Sequence, residues 1–245
     1  MALSDLRTSL GEFPKDKVVW WHVVLWLFGL YILVQLFGFK MGGEMPGVLL
    51  VPYSFNFMLH EWSHILTGFL PPILSAAAGS GSELLLGLGL VIGAIWFKNW
   101  FALMFCLLWF DLALQSAGGY MADAVVRKLP LVSLGGALSG QDATHDWNFI
   151  FGQLHLLGAS EFIGNSLRLF GHVVGIFALL FAAYLIVQMI IFKRAEKSVR
   201  QPERSWEKLP TSTATKSIYA EPTKGALAYN KPQDKDKDLE NRSNF

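Results

Sequence analysis

The chain has 245 residues, of which 53% are hydrophobic and only 16% charged, with a formal net charge of +1 and a mean hydropathy of +0.39. This exceeds the apolar content of a soluble domain and predicts an all-α, polytopic membrane protein, in contact with membrane lipid and with no nucleic-acid partner. The single cysteine, Cys106, excludes an intrachain disulfide and a cysteine-based metal site, so any metal must be held by His, Asp or Glu.

Residues 1–17 read as a polar interfacial lead, closed by Pro14 and the Lys15-Asp16-Lys17 cluster. Residues 18–39 are long enough for a hydrocarbon core that needs roughly 20 apolar residues, and Trp20, Trp21 and Trp26 suit an interfacial aromatic belt. No small-residue cleavage site clearly follows this run, so no cleavable signal peptide is expected. After a glycine-containing turn over 40–46, a second span is predicted over 47–70. It ends at Pro71-Pro72, because proline lacks the amide donor and clashes with the preceding turn.

Residues 75–82 are small and rich in Gly and Ser. They are expected to form a re-entrant or loop segment, tolerated at membrane depth only when buried in protein or lining a wet cavity, or else a plain surface turn. Glu83 then opens the next apolar run, where a carboxylate favours the positive end of a helix dipole. Third and fourth spans are predicted over 84–97 and 100–119, joined by a tight Lys98-Asn99 turn. Asp111 and Gln115, four apart, share a face of the fourth span; they serve either interhelical hydrogen bonding or a metal ligand's outer shell. Residues 131–168 form the longest stretch outside the clear spans before the tail, and carry Asp142, His145, Asp146 and Trp147.

The final span is predicted over 169–192, with His172 as an interfacial polar residue. Lys193, Arg194, Lys197 and Arg200 follow, a cluster that marks the cytoplasmic side. The chain thus divides into a lead (1–17), a membrane domain (18–192) and a polar tail (193–245) whose composition predicts disorder. Five spans are clear. Basic flanks at both ends favour an even number, so either the path over 47–78 is broken, or 149–157 dips into the membrane, or the N-terminal charges are outvoted and five spans stand.

The chemistry centres on His60-Glu61-Trp62-Ser63-His64, an HExxH pentad inside an apolar run. Residues four apart on a helix lie one turn above each other, so His60 and His64 can both offer imidazole nitrogens to one ion. Glu61 stands beside them as a carboxylate able to take a proton from a polarised water. Two histidines and a glutamate are costly to place in hydrocarbon unless paired, hydrated or metal-bound. The alternative use is hydrogen bonding to a neighbouring helix.

The pentad, the Gly81-Ser82 element before a span, Tyr120-Met121-Ala122-Asp123-Ala124 with Leu129-Pro130-Leu131, and His145-Asp146-Trp147 occur in that order. Together they resemble the site-2 protease class of intramembrane zinc metalloproteases, and more closely a group of bacterial HExxH membrane proteins. The resemblance spans about residues 47–160. It implies a zinc ion on His60 and His64, Glu61 as the catalytic base, a bacterial inner-membrane location and a membrane-protein substrate. The third ligand does not transfer, because the Asn-Pro…Asp-Gly element that supplies it in that class is absent. Asp123 is the first choice, at the close of an apolar span, with His145 and Asp146 as rivals; Asp146 is also a candidate to orient a ligating histidine. Leu85 also stands where the resemblance leads one to expect glutamine.

The leading expectation is therefore an intramembrane zinc metallopeptidase. The second is a non-catalytic subunit with the same fold, serving as scaffold among partner subunits of a larger complex. Metal-ion transport is a third, less suited to a glutamate placed beside the ligands.

Overall fold

The computed structural model describes residues 3–13, 19–129 and 145–207. The Lys15-Asp16-Lys17 cluster, Pro130, Leu131, Asp142 and residues 208–245 lie outside the described residues; of the tail expected to be disordered over 193–245, residues 193–207 are helical instead. Every regular element among the described residues is helical: α1 (Leu3–Glu12), α2 (Val19–Gly38), α3 (Gly47–Thr67), α4 (Pro72–Trp96), α5 (Ala102–Ala122), α6 (Asp146–Gln153), a 3-10 turn (Leu157–Ala159) and α7 (Ser160–Glu207). Residues up to Arg200 form one compact unit; of the second, which begins at Gln201, only the helical backbone to Glu207 is described.

Among the described residues, four stretches are long and apolar enough to cross a membrane: Val19–Gly38, Pro72–Trp96, Ala102–Ala122 and Leu157–Ser198. The expected count of five or six rests on α3, which has the length but carries Asn56, His60, Glu61, Ser63 and His64. These side chains lower its apolarity. On α2 only Gly29, Leu33 and Leu36 are buried, while Phe28, Val34 and Phe37 are each about half exposed. Such an exposed apolar face is compatible with a membrane protein.

α5 is the central helix, with apolar residues such as Met104, Leu107, Leu108 and Leu112 buried on several sides. They join Leu33, Leu36 and Leu49 from α2 and α3 and Ala178, Ala182 and Leu185 from α7 in the main core. Close approach relies on glycine: a Cβ at Gly118 would lie 2.6 Å from the Gly164 carbonyl oxygen, so α5 and α7 touch through their backbones. Asp111 and Gln115 belong to this interface. The Gln115 amide donates to Asp111 Oδ1 at 2.9 Å and to the Arg168 carbonyl at 2.8 Å. His172 lies 3.2 Å from the same amide and stacks on Phe37. The pair therefore serves interhelical bonding.

The loop expected over 75–82 is helix. α3 ends at Thr67, Pro71 caps α4 and Pro72 takes its first turn, where the missing amide costs nothing. From there α4 runs unbroken through the Gly/Ser stretch. The reason is tertiary: small residues let α3 and α4 lie close, and their polar atoms are satisfied locally or across the contact. Ser82 Oγ donates to the Gly79 carbonyl at 2.7 Å and reaches the Leu59 carbonyl at 3.4 Å. Glu83 consequently sits mid-helix and buried, not at a helix start.

Candidate metal centre

α3 presents His60 and His64 one turn apart toward α4, as the pentad spacing requires. Each imidazole has one nitrogen engaged away from the other. His60 Nδ1 lies 2.8 Å from Glu83 Oε1, and His64 Nδ1 lies 2.9 Å from the Ser75 carbonyl oxygen. A carbonyl accepts only, so His64 Nδ1 carries the proton and its Nε2 keeps the lone pair. The carboxylate fixes the same tautomer on His60.

The two Nε2 atoms converge on Asp146 Oδ2, each at 3.3 Å. His60, His64 and Asp146 offer ligand atoms that all lie within 4.8 Å of one another. Lone pairs that face one another this closely repel, so each contact needs either a proton on the imidazole or a metal ion between the nitrogen and the carboxylate oxygen. Ligands about 2.0–2.1 Å from a tetrahedral ion stand roughly 3.3–3.4 Å apart, so the two contacts to Asp146 match a divalent metal held by two nitrogens and one oxygen. Gly79 leaves the space. A Cβ there would lie 2.5 Å from His60 Nε2 and 2.6 Å from His64 Nε2, in the position that the donors face. The residues present therefore fit a metal ion.

Asp146 is the first residue of α6, which docks by specific contacts. Its backbone N–H donates to the Tyr120 hydroxyl at 3.2 Å, Trp147 Nε1 donates to Ser80 Oγ at 3.0 Å, and Asn148 Nδ2 donates to the Ala124 carbonyl at 2.8 Å. Beneath these bonds Met121, Ala124, Ile150 and Phe151 form a second, smaller core. In the metal-free site protons on the two imidazoles fill the place of the ion: burial raises the affinity of the Asp146 carboxylate for a proton, but hydrogen bonds and charge from protonated His60 and His64 outweigh it and hold the group below the usual carboxylate range.

Asp123, the first choice as third ligand, does not join the cluster. Its two oxygens accept the backbone N–H groups of Lys128 and Leu129, each at 3.0 Å, closing the turn after α5. His145 does not join it either. It caps α6 by accepting the Asn148 N–H on Nδ1, stacks on Tyr120 at 4.2 Å, and turns Nε2 toward Asp123 Oδ2 at 3.6 Å. Burial pushes its imidazole below the ordinary histidine value despite the nearby carboxylates of Asp123 and Asp146. Of the three candidates, the structure brings Asp146 to the histidines.

Glu61 is 5% exposed, adjacent to His60, and near enough to Tyr120 for its charge to act on the phenol. Glu83, Gly79, Tyr120 and the Ser75 carbonyl are site components that sequence reasoning did not assign to it. The signal for Glu83 was present: a lone carboxylate in an apolar run demands a partner. Nothing in local sequence marks Gly79 among its small neighbours.

No protein-family model, curated protein or solved structure matches this chain.

Proposed function

We propose that the chain is a membrane-embedded metallopeptidase, with zinc held by His60, His64 and Asp146 and with Glu61 as its general base. One observation carries the reading: the lone pairs of two tautomer-fixed imidazoles and one carboxylate oxygen meet at a space that Gly79 leaves open. When bound, the ion supplies Lewis acidity toward a peptide carbonyl and a water molecule.

The chain's own residues do the rest. Glu83 and the Ser75 carbonyl hold the Nδ1 proton of each histidine, so that Nε2 is the atom left to coordinate, and Tyr120 holds the backbone of Asp146 in place. Glu61 takes a proton from the attacking water and delivers it to the leaving amine. Water reaches the cluster through its open side, where the side chains of His64 and Asp146 are 24% and 13% exposed.

The four long apolar helices support an integral membrane location. The basic cluster after residue 192 and the resemblance favour a bacterial inner membrane with the C-terminus in the cytoplasm. A membrane protein is then the expected substrate. Glu61→Gln should reduce cleavage of a membrane-derived peptide by about 10²–10⁴-fold with metal still bound; undiminished cleavage would remove Glu61 from the mechanism. Wild-type protein that holds metal and cleaves nothing would favour the scaffold reading.

A further inference from the structure

Asp111, the only carboxyl on α5, lies outside the metal centre. It is 0% exposed, near the middle of a helix long and apolar enough to cross a membrane. Its side chain has one hydrogen-bond partner, Gln115. Arg168 Nε donates to Gln115 Oε1 at 3.3 Å, which orients the amide so that its Nε2 donates to Asp111 Oδ1 at 2.9 Å. Asp111 Oδ2 is buried and has no hydrogen-bond partner.

No cation offsets this carboxyl. α7 brings Arg168 and His172 to the neighbourhood, and both turn to Gln115: the guanidinium bonds the amide oxygen and Asn165 Oδ1, while His172 Nδ1 lies 3.2 Å from the amide nitrogen. α2 packs here through Leu33 and through Phe37, which stacks on His172. α3 and α4 meet the preceding residues of α5, Asn56 at Trp109 and Gly87 at Phe110; their one carboxyl near this level, Glu83, faces His60, and no charge of theirs acts on Asp111. A Cβ at Gly171 would lie 2.6 Å from Asp111 Oδ1 and a Cβ at Gly175 2.5 Å from Oδ2. The carboxyl therefore lies against the bare backbone of α7, without room for a metal ion and its shell. An ionised carboxylate so placed, sealed from solvent and without a counter-charge, is neutralised by a proton instead.

We propose that Asp111 is a proton-binding site inside the helix bundle, neutral at neutral pH, and that the neutral acid clasps α7 to α5. Oδ1 is committed as an acceptor to Gln115, so the proton falls to Oδ2, the oxygen without a partner. That oxygen faces α7 at Gly175, where glycine leaves the helix backbone bare beside it. Loss of the proton puts a bare charge into the contact that also holds Gly118 against Gly164, and the α5–α7 contact should loosen. The clasp rests on neither the metal ion nor peptidase activity.

Infrared spectra of the full chain in detergent, wild type against Asp111→Asn, test the proton directly. At neutral pH the wild type should show the carbonyl stretch of a carboxylic acid, shifted in heavy water and missing from Asp111→Asn; a folded wild type without that band would overturn the proposal. Denaturant titration across pH tests the clasp. A carboxyl in the unfolded chain loses its proton near ~4, so above that pH the folded wild type holds one proton more than the unfolded chain. The folding equilibrium of the wild type, relative to Asp111→Asn, should therefore fall by about tenfold per pH unit above ~4 until the acid band disappears. Parallel pH dependence of the two proteins would overturn the clasp. Should Asp111→Asn not fold, wild type carrying isotope-labelled aspartate decides: an aspartic acid band at neutral pH, whose loss at higher pH brings faster hydrogen exchange in α7 around Gly171 and Gly175, sustains the proposal, and absence of the band or unchanged exchange overturns it.

Discussion

Replacing Glu83 tests whether the site is built as a metal centre or merely as a buried hydrogen-bond cluster. Glu83 Oε1 lies 2.8 Å from His60 Nδ1, the two side chains being 4% and 10% exposed, so neither has water as a substitute partner. A carboxylate behind a ligating histidine fixes its tautomer and raises its basicity, and losing it typically costs about 10–100-fold in metal affinity, or ~1.4–2.7 kcal/mol. Glu83→Gln keeps an oxygen able to accept the Nδ1 proton and loses only the charge, so its cost should lie at the lower limit, about tenfold. Glu83→Leu leaves a buried N–H unpaired; it should approach the upper limit and lower apo stability by about 1–3 kcal/mol. Competition titration against a chromophoric chelator, with melting temperatures of the metal-free proteins measured in parallel, gives both quantities. Affinities of Gln and Leu variants equal to wild type, alongside a His60→Ala variant that binds no metal, would refute the outer carboxylate's role.

Gly79→Ala puts a methyl 2.5–2.6 Å from both Nε2 atoms, so metal binding should be lost. Gly81→Ala, where nothing lies within 4 Å of the added Cβ, should leave it intact; chelator titration of both variants checks this. Metal ligation requires neutral imidazoles, so affinity should rise with pH as the two histidines lose their protons and fall as they gain them; calorimetry in buffers of differing ionisation enthalpy should detect proton release on binding. Trp147→Phe removes the 3.0 Å bond to Ser80, should cost about 0.5–1.5 kcal/mol, and should raise hydrogen exchange first in α6. Gly118→Ala forces a methyl against the Gly164 carbonyl and should destabilise the chain by about 1–3 kcal/mol in denaturant titration.

Much of this arrangement is legible in the sequence where the governing physics is local. The apolar runs set the positions of α2 and α5, Pro71-Pro72 divides α3 from α4, and the four-residue spacing of His60 and His64 puts them on one face. What was not legible depends on contacts between helices. Residues 75–82 look flexible by composition, yet they are helical because α3 packs on them and their hydroxyls find partners. Glu83 looks like a helix-start residue until His60, 23 positions earlier, is seen against it. Asp123 and Asp146 both lie near the resemblance motifs; choosing between them required knowing that α6 folds back onto α4 and α5, a path no local pattern encodes. The polarity of α3 similarly serves its neighbours, which is why hydropathy alone passes over the helix that carries the pentad.

The most direct measurement is metal content per chain in detergent-purified wild type and in His60→Ala, His64→Ala, Asp146→Ala and Asp123→Ala variants. The site described here predicts about one zinc ion per chain in the wild type, lost in both histidine variants and in Asp146→Ala and retained in Asp123→Ala. Loss of metal in Asp123→Ala with retention in Asp146→Ala, or a wild type that binds none after zinc loading, would contradict it.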